Sequence, residues 1–194
     1  MTKAKLEMIK EFGYQVEKAS GSAVSSRVMA GAEALRLATS RKEISLWMRD
    51  AIDRLDAAVP EQERVAIMEN CGYNCARHNS TIITRGKTRR AKFDNEAAFL
   101  AAEQAKPQVG TRLKLQGDFL VQTYTPQSFT HPLRCYCSLL GELPAGQHIS
   151  PTYCNCSKAF VQTFWSEVLG RPVKVKILET AVTGSTECKF EIKI

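Results

Sequence analysis

Val173-Lys-Val-Lys-Ile-Leu-Glu179 and Cys188-Lys-Phe-Glu-Ile-Lys-Ile194 are two runs in which apolar and charged residues alternate. Alternation is the period of a half-buried strand, and Thr183-Gly184 between the runs supplies a turn. Pairing them sets Val173 against Ile194, Val175 against Ile192 and Ile177 against Phe190, with Glu179 against Cys188 on the apolar face. A slip of one residue would turn each apolar set to solvent, so the register is well specified. The chain therefore ends in an antiparallel hairpin whose apolar side needs a covering layer.

Upstream, Ser157 to Leu169 reads as a helix with Phe160, Phe164, Trp165 and Val168 on its apolar stripe, stopped by Gly170 and Pro172. Leu133 to Leu140 reads as a strand. Before it, Leu113 and Leu115 pair with Val121 and Phe119 across a Gly117-Asp118 loop. Residues 1–105 carry helical periodicity instead. Lys5 to Lys18 forms a first helix, Ser40 and Glu43 form a capping box, Pro60 starts a further helix and Asp94 caps another. The fold class is α+β: a helical N-terminal half packed on an antiparallel sheet of about five strands, with a helix before the final hairpin. A helical region 1–105 and a cysteine-rich α+β region 106–194 form one compact domain.

The chain has 194 residues, 44% hydrophobic and 24% charged, which is ordinary for a folded domain. Its net charge of +7 invites a nucleic-acid reading. The densest basic run, Arg85, Lys87, Arg89, Arg90 and Lys92, lacks interleaved aromatics and any nucleic-acid motif. A solvated basic loop and no nucleic-acid partner are expected. No apolar run is long enough to span a bilayer, so no membrane partner is expected either. The N-terminus lacks a signal sequence, and the seven cysteines then imply a reducing, cytoplasmic setting.

Four of the cysteines form two C-x-C pairs, Cys135/Cys137 and Cys154/Cys156. Two residues apart on a strand share a face, so four thiolates gathered this way match the tetrahedral set that zinc prefers. Cys154 and Cys156 precede a helix, whose N-terminus favours negative charge and eases thiol ionisation. An inward-facing Glu179 needs a partner, and a metal ion, a ligand amine or a nearby basic side chain would each serve; the plainer alternative is an exposed strand end with Glu179 in water. Cys71, Cys75 and His78 form a separate partial set on a helix, with core packing as the plainer role of the two thiols. His131 and His148 flank the first C-x-C pair, beside turn-prone residues that suit a solvated histidine.

The run from Arg134-Cys-Tyr-Cys through Tyr153-Cys-Asn-Cys-Ser, with Gly170-Arg-Pro-Val, Glu179 and Gly184-Ser-Thr-Glu-Cys-Lys-Phe-Glu-Ile, resembles the 4-vinyl-reductase-like domain superfamily. It is most similar to an uncharacterised, cysteine-rich bacterial branch, and it also resembles the aminothiazoline-carboxylate hydrolase-like proteins. The resemblance covers roughly residues 111–194. It implies an α+β ligand-binding fold like that of the transport-particle subunits. It also implies a zinc held by Cys154 or Cys156, Glu179 and Cys188, with Cys135 or Cys137 replacing a family ligand that falls on Val182.

Together these features predict a cytoplasmic small-molecule-binding domain with a zinc site at Cys135, Cys137, Cys154, Cys156, Glu179 and Cys188. Its ligand is expected to be apolar or aromatic, held near Phe160, Phe164 and Trp165, and a homodimer is allowed. Two alternatives stay open. One is a hydrolase with Cys154 or Cys156 as nucleophile. The other is a thiol redox switch.

Overall fold

A computed structural model describes residues 2–125, 135, 137–144 and 146–194. Six helices come first: α1 Lys3–Ser20, α2 Ser22–Val28, α3 Arg41–Ala58, α4 Glu61–His78, α5 Ser80–Arg90 and α6 Glu96–Ala105. The strands β1 Thr111–Gln116 and β2 Phe119–Tyr124 follow, then α7 Cys154–Leu169 and the strands β3 Lys174–Glu179 and β4 Cys188–Lys193.

Local chemistry sets several boundaries. Thr2 caps α1, its side chain accepting from the Lys5 N–H. Gly21, at φ 82°, separates α1 from α2. The Ser40/Glu43 capping box forms as expected and satisfies the first donors of α3. At α6 the cap is Asn95, which accepts from the Ala98 N–H at 2.8 Å, one residue beyond the expected Asp94. The basic run from Arg85 to Arg90 is helix α5, where a loop was expected. Its packing explains the difference: Gly86 lies against Val168 and Phe164 of α7, and Arg89 makes a two-pronged contact with Glu103 of α6 at 2.7 and 3.0 Å. Tertiary contact overrides weak local propensity here.

Four antiparallel strands, where about five were expected, form one sheet in the order β1-β2-β4-β3 among the described residues. Of the expected strand Leu133–Leu140, residues 133, 134 and 136 lie outside the described residues, and the rest is turn or irregular chain. Leu139 and Leu140 are both buried in the same apolar cluster, whereas strand neighbours point to opposite faces. The β1–β2 link is a two-residue turn at Gly117-Asp118, with Gly117 at φ 58°. Leu115 therefore pairs with Leu120 and Leu113 with Gln122. This is one residue from the expected register, and it turns Phe119 outward and Leu120 inward.

The last hairpin keeps Val175 opposite Ile192 and Ile177 opposite Phe190. A register shift between Ile177 and Glu179 then sets Glu179 against Lys189, not Cys188. A bulge of this kind re-aims a single side chain, and it ends the expected pairing of Glu179 with Cys188.

Two apolar clusters result. One joins α1, α3 and α4 with Leu139, Leu140, Ile149 and Tyr153. The other joins α6, α7 and one face of the sheet through Phe99, Trp165, Leu120, Phe190 and Ile192. Helix α7 packs along α4 on one side and against the sheet on the other. Gly72 of α4 makes that approach: a Cβ there would stand 2.2 Å from the Cys156 carbonyl oxygen and 2.8 Å from the Ala159 Cβ. No helix among the described residues is long and apolar enough to cross a membrane.

Candidate functional site

The seam between α4 and α7 gathers the thiols. Cys71 and Cys75 come from α4, one turn apart, and Cys154 and Cys156 from the first turn of α7. Cys135 and Cys137 come from the loop before α7, and Cys188 opens β4. All seven are free thiols. Cys156 lies within electrostatic reach of Cys71, Cys75, Cys135 and Cys137, and Cys135 within reach of Cys154 and Cys188. Sequence reasoning held Cys71 and Cys75 apart from the C-x-C pairs; the fold brings them together. The Tyr153 hydroxyl donates to Cys137 Sγ at 3.0 Å, and the Cys137 N–H donates to Cys135 Sγ at 3.4 Å. The Ala181 N–H donates to Cys188 Sγ at 3.4 Å, and Asn79 Nδ2 to Cys75 Sγ at 3.6 Å.

Burial governs six of these thiols. It pushes Cys154 up to about 11 and Cys71 up to about 12, with the Glu11 carboxylate the next contribution at Cys71. It also raises Cys75, Cys135, Cys156 and Cys188. The expected easing of ionisation at the α7 N-terminus is therefore reversed for Cys154 and Cys156. A helix end contributes typically about 0.3–1 kcal/mol, and desolvating a thiolate outweighs that. The described histidines, His78 and His148, are exposed, and neither is hydrogen-bonded to a sulfur; His131 lies outside the described residues. A cysteine nucleophile needs a lowered pKa or an adjacent base, so these features do not support the hydrolase alternative.

The zinc expectation is corrected. Among the described residues no group of three or more His, Cys, Asp or Glu side chains is placed to hold a metal ion. Glu179 is exposed and bound to Lys189 Nζ at 2.8 Å and Ser185 Oγ at 2.9 Å, which hold its carboxyl below the usual carboxylate range. Of the aromatic trio, Trp165 and Phe164 belong to the apolar cluster under the sheet. Trp165 is buried and donates from Nε1 to Gln122 Oε1 at 2.7 Å. Phe164 stands edge-on to it, with ring centres 5.3 Å apart, and Phe160 is half-buried.

A second feature escaped sequence reasoning. A cleft of about 710 Å³ opens between α1 and α4, lined by Glu11, Tyr14 and Lys18 on one wall and Tyr73, Asn74 and Arg77 on the other, with His78 at its edge. On α1 these residues recur at helical spacing along one face, and so do those of α4. The polar stripes were visible in the sequence; that they oppose each other was not. Glu11 accepts from Gln15 Nε2 at 2.7 Å and from Asn74 Nδ2, so its carboxylate ties the two walls together. Glu11 also belongs to the surroundings of Cys71, placing the cleft beside the thiol seam.

No protein-family model and no curated protein matches the chain. Among solved structures it is similar to a crystal structure of an H-NOX protein from S. oneidensis in the Fe(II)NO ligation state, with 12% identity, 95% of this chain and 96% of that chain covered, and a TM-score of 0.45. It is also similar to an NMR structure of an H-NOX domain from Shewanella oneidensis in the Fe(II)CO ligation state, with 11% identity, 96% of each chain covered, and a TM-score of 0.47. The expected membership of the 4-vinyl-reductase-like group, and the likeness to the aminothiazoline-carboxylate hydrolase-like proteins, are overturned: the similar structures are H-NOX domains. Those proteins carry iron, not zinc.

Proposed function

We propose that the protein is a small-molecule-binding domain whose ligand occupies the α1–α4 cleft, with an anionic group directed to Lys18 and Arg77. The pair of facing polar stripes carries this reading. Packed helices ordinarily meet through apolar stripes, and α1 and α4 do so only on the side of Phe12, Val16, Ile67 and Met68. Beside that contact the same two helices oppose polar groups across an open volume of about 710 Å³. The volume lies within the roughly 300–1,000 Å³ of small-molecule sites.

The lining gives the ligand its chemistry. Arg77 bonds to Asn74 Oδ1 at 3.3 Å, and neither Arg77 nor Lys18 pairs with a carboxylate among the described residues. Two cations in the lining favour a carboxylate, sulfonate or phosphate. Tyr14 and Tyr73, one on each wall, offer ring faces to a planar group. Asn74 and Gln15, both engaged by Glu11, are pre-positioned in place of being drawn in by the ligand.

A fluorescence titration with anilinonaphthalene sulfonate, an anionic aromatic probe, tests the assignment. A single saturable site is expected. Arg77→Ala and Lys18→Ala, both at exposed positions, should each weaken it about tenfold, the worth of one charge-assisted hydrogen bond. Unsaturable binding, or binding unchanged in both variants, refutes the assignment.

A further inference from the structure

Among the described residues, helices cover one face of the sheet, and the other is exposed along its lysines, with Thr123 buried at one end. Helices α6 and α7 pack over the face carrying Leu113, Leu120, Phe190 and Ile192. The alternate residues of each strand point away from it. The register arranges them in rows: Lys174, Lys193, Phe119 and Gln116; then Lys176, Glu191, Val121 and Lys114; then Glu179, Lys189, Thr123 and Arg112. At one end Lys189 pairs with Glu179 at 2.8 Å and Arg112 with Glu187. Lys114, Lys174, Lys176 and Lys193 are exposed and join no ion pair among the described residues. Glu191 and Glu179 are the carboxylates within the rows, and Glu179 is taken by Lys189.

Two features of this face cost the isolated domain stability. Lys174 stands directly across from Lys193, and like charges directly opposite destabilise a sheet. Phe119, beside Lys193 in the same row, is 37% exposed. Lysines on edge strands guard against pairing with another chain, which accounts for Lys174 and Lys176 on β3 and Lys114 on β1. Edge protection does not account for Lys189 and Lys193, because β4 is an inner strand between β2 and β3.

We propose that this face docks the protein onto an anionic lipid surface. Strands lie about 4.8 Å apart and alternate residues about 7 Å apart, so the unpaired lysines spread in two dimensions from β3 to β1, about 14 Å away. A single nucleic-acid strand is held instead by a basic groove with several stacking rings, and these rows carry one ring, Phe119. A plane of ammonium groups suits a plane of headgroup phosphates, each a point-charge contact. Such contacts would relieve the Lys174–Lys193 repulsion, and Phe119 has the apolar ring to enter the interface. The absence of a bilayer-spanning run in the sequence does not bear on this mode, which is peripheral.

Co-sedimentation with phosphatidylcholine vesicles, with and without phosphatidylglycerol, at low and high salt, tests the proposal. Binding is expected only with phosphatidylglycerol, and release at high salt. Each lysine near an anionic leaflet is worth about a fivefold gain in partitioning. A Lys174→Gln/Lys193→Gln variant should therefore partition roughly 25-fold more weakly. Its melting temperature should equal or exceed that of the parent, since a like-charge pair is removed. A Lys3→Gln/Lys42→Gln variant, altered on exposed helical surface, should bind as the parent does. Undiminished binding by the sheet variant, equal binding to pure phosphatidylcholine, or tighter binding of a labelled single-stranded oligonucleotide or polyglutamate than of vesicles would each overturn the proposal.

Discussion

Replacing Gly72 by alanine isolates the contact on which the seam depends. The added Cβ would stand 2.2 Å from the Cys156 carbonyl oxygen and 2.8 Å from the Ala159 Cβ. Non-bonded carbon atoms prefer about 3.5–4.0 Å, so α4 and α7 must part by about 1 Å. One obstacle is backbone, which no rotamer change removes. A gap of that size forfeits a quarter to a half of the dispersion energy along the contact, and overpacking of this kind typically costs about 1–3 kcal/mol. Alanine in a helix interior returns about 1 kcal/mol relative to glycine. Net destabilisation of about 2 kcal/mol follows, allowing for a cost near the upper end of that range. In a chain of 194 residues it lowers the melting temperature by about 4–8 °C. Urea denaturation followed by circular dichroism should show a lower midpoint at unchanged slope, and Cys156 should label faster with a thiol reagent. Gly141, where an added Cβ meets nothing within 4 Å, is the control, and its alanine variant should stay within about 0.5 kcal/mol of the parent. Helix propensity alone predicts a more stable Gly72→Ala, so a midpoint equal to or above the parent's refutes the close packing of α4 on α7.

The buried thiols make stability depend on alkaline pH. Cys154 is raised from its ordinary 9.0 to about 11: below pH 9 both folded and unfolded chains hold its proton, and between pH 9 and 11 only the folded chain does, so stability falls through that window. At about 1.36 kcal/mol per unit the loss from Cys154 is about 3 kcal/mol, and Cys154→Ala should flatten the profile by that amount; an identical pH dependence in parent and variant would contradict the burial of this thiol. Gln122→Leu leaves the Trp165 N–H without its 2.7 Å acceptor, which should cost about 1–3 kcal/mol in urea denaturation and shift the tryptophan emission, whereas a variant as stable as the parent would show that the pair is not held in the core.

Much of the architecture was legible because it is local. The Ser40/Glu43 box involves residues three apart, and it forms where the sequence places it. The alternation in Val175, Ile177, Phe190 and Ile192 dictates which faces of β3 and β4 are buried, and those pairs stand opposite each other as read. The misreadings arose where a single residue changes the geometry. A left-handed Gly117 shortens the first hairpin and shifts its register. The bulge after Ile177 takes Glu179 from the apolar face to Lys189, and with it goes the carboxylate of the expected metal set. Thiol spacing was legible, but thiol chemistry was not, because the pKa of Cys154 follows from what covers it, not from its place at a helix start.

By itself the sequence determined the α+β class, the helical first half and the amphipathic strands at the end. Periodicity, caps and turns act within a few residues along the chain, where neighbours are fixed by covalent connection. Tertiary structure alone decided that Cys71 and Cys75 join Cys137 and Cys156, that the polar stripes of α1 and α4 face each other, and that the sheet turns its lysines to an open side. Each depends on which distant segments pack together, and a free energy summed over the whole core makes that choice, not the residues that meet at the site.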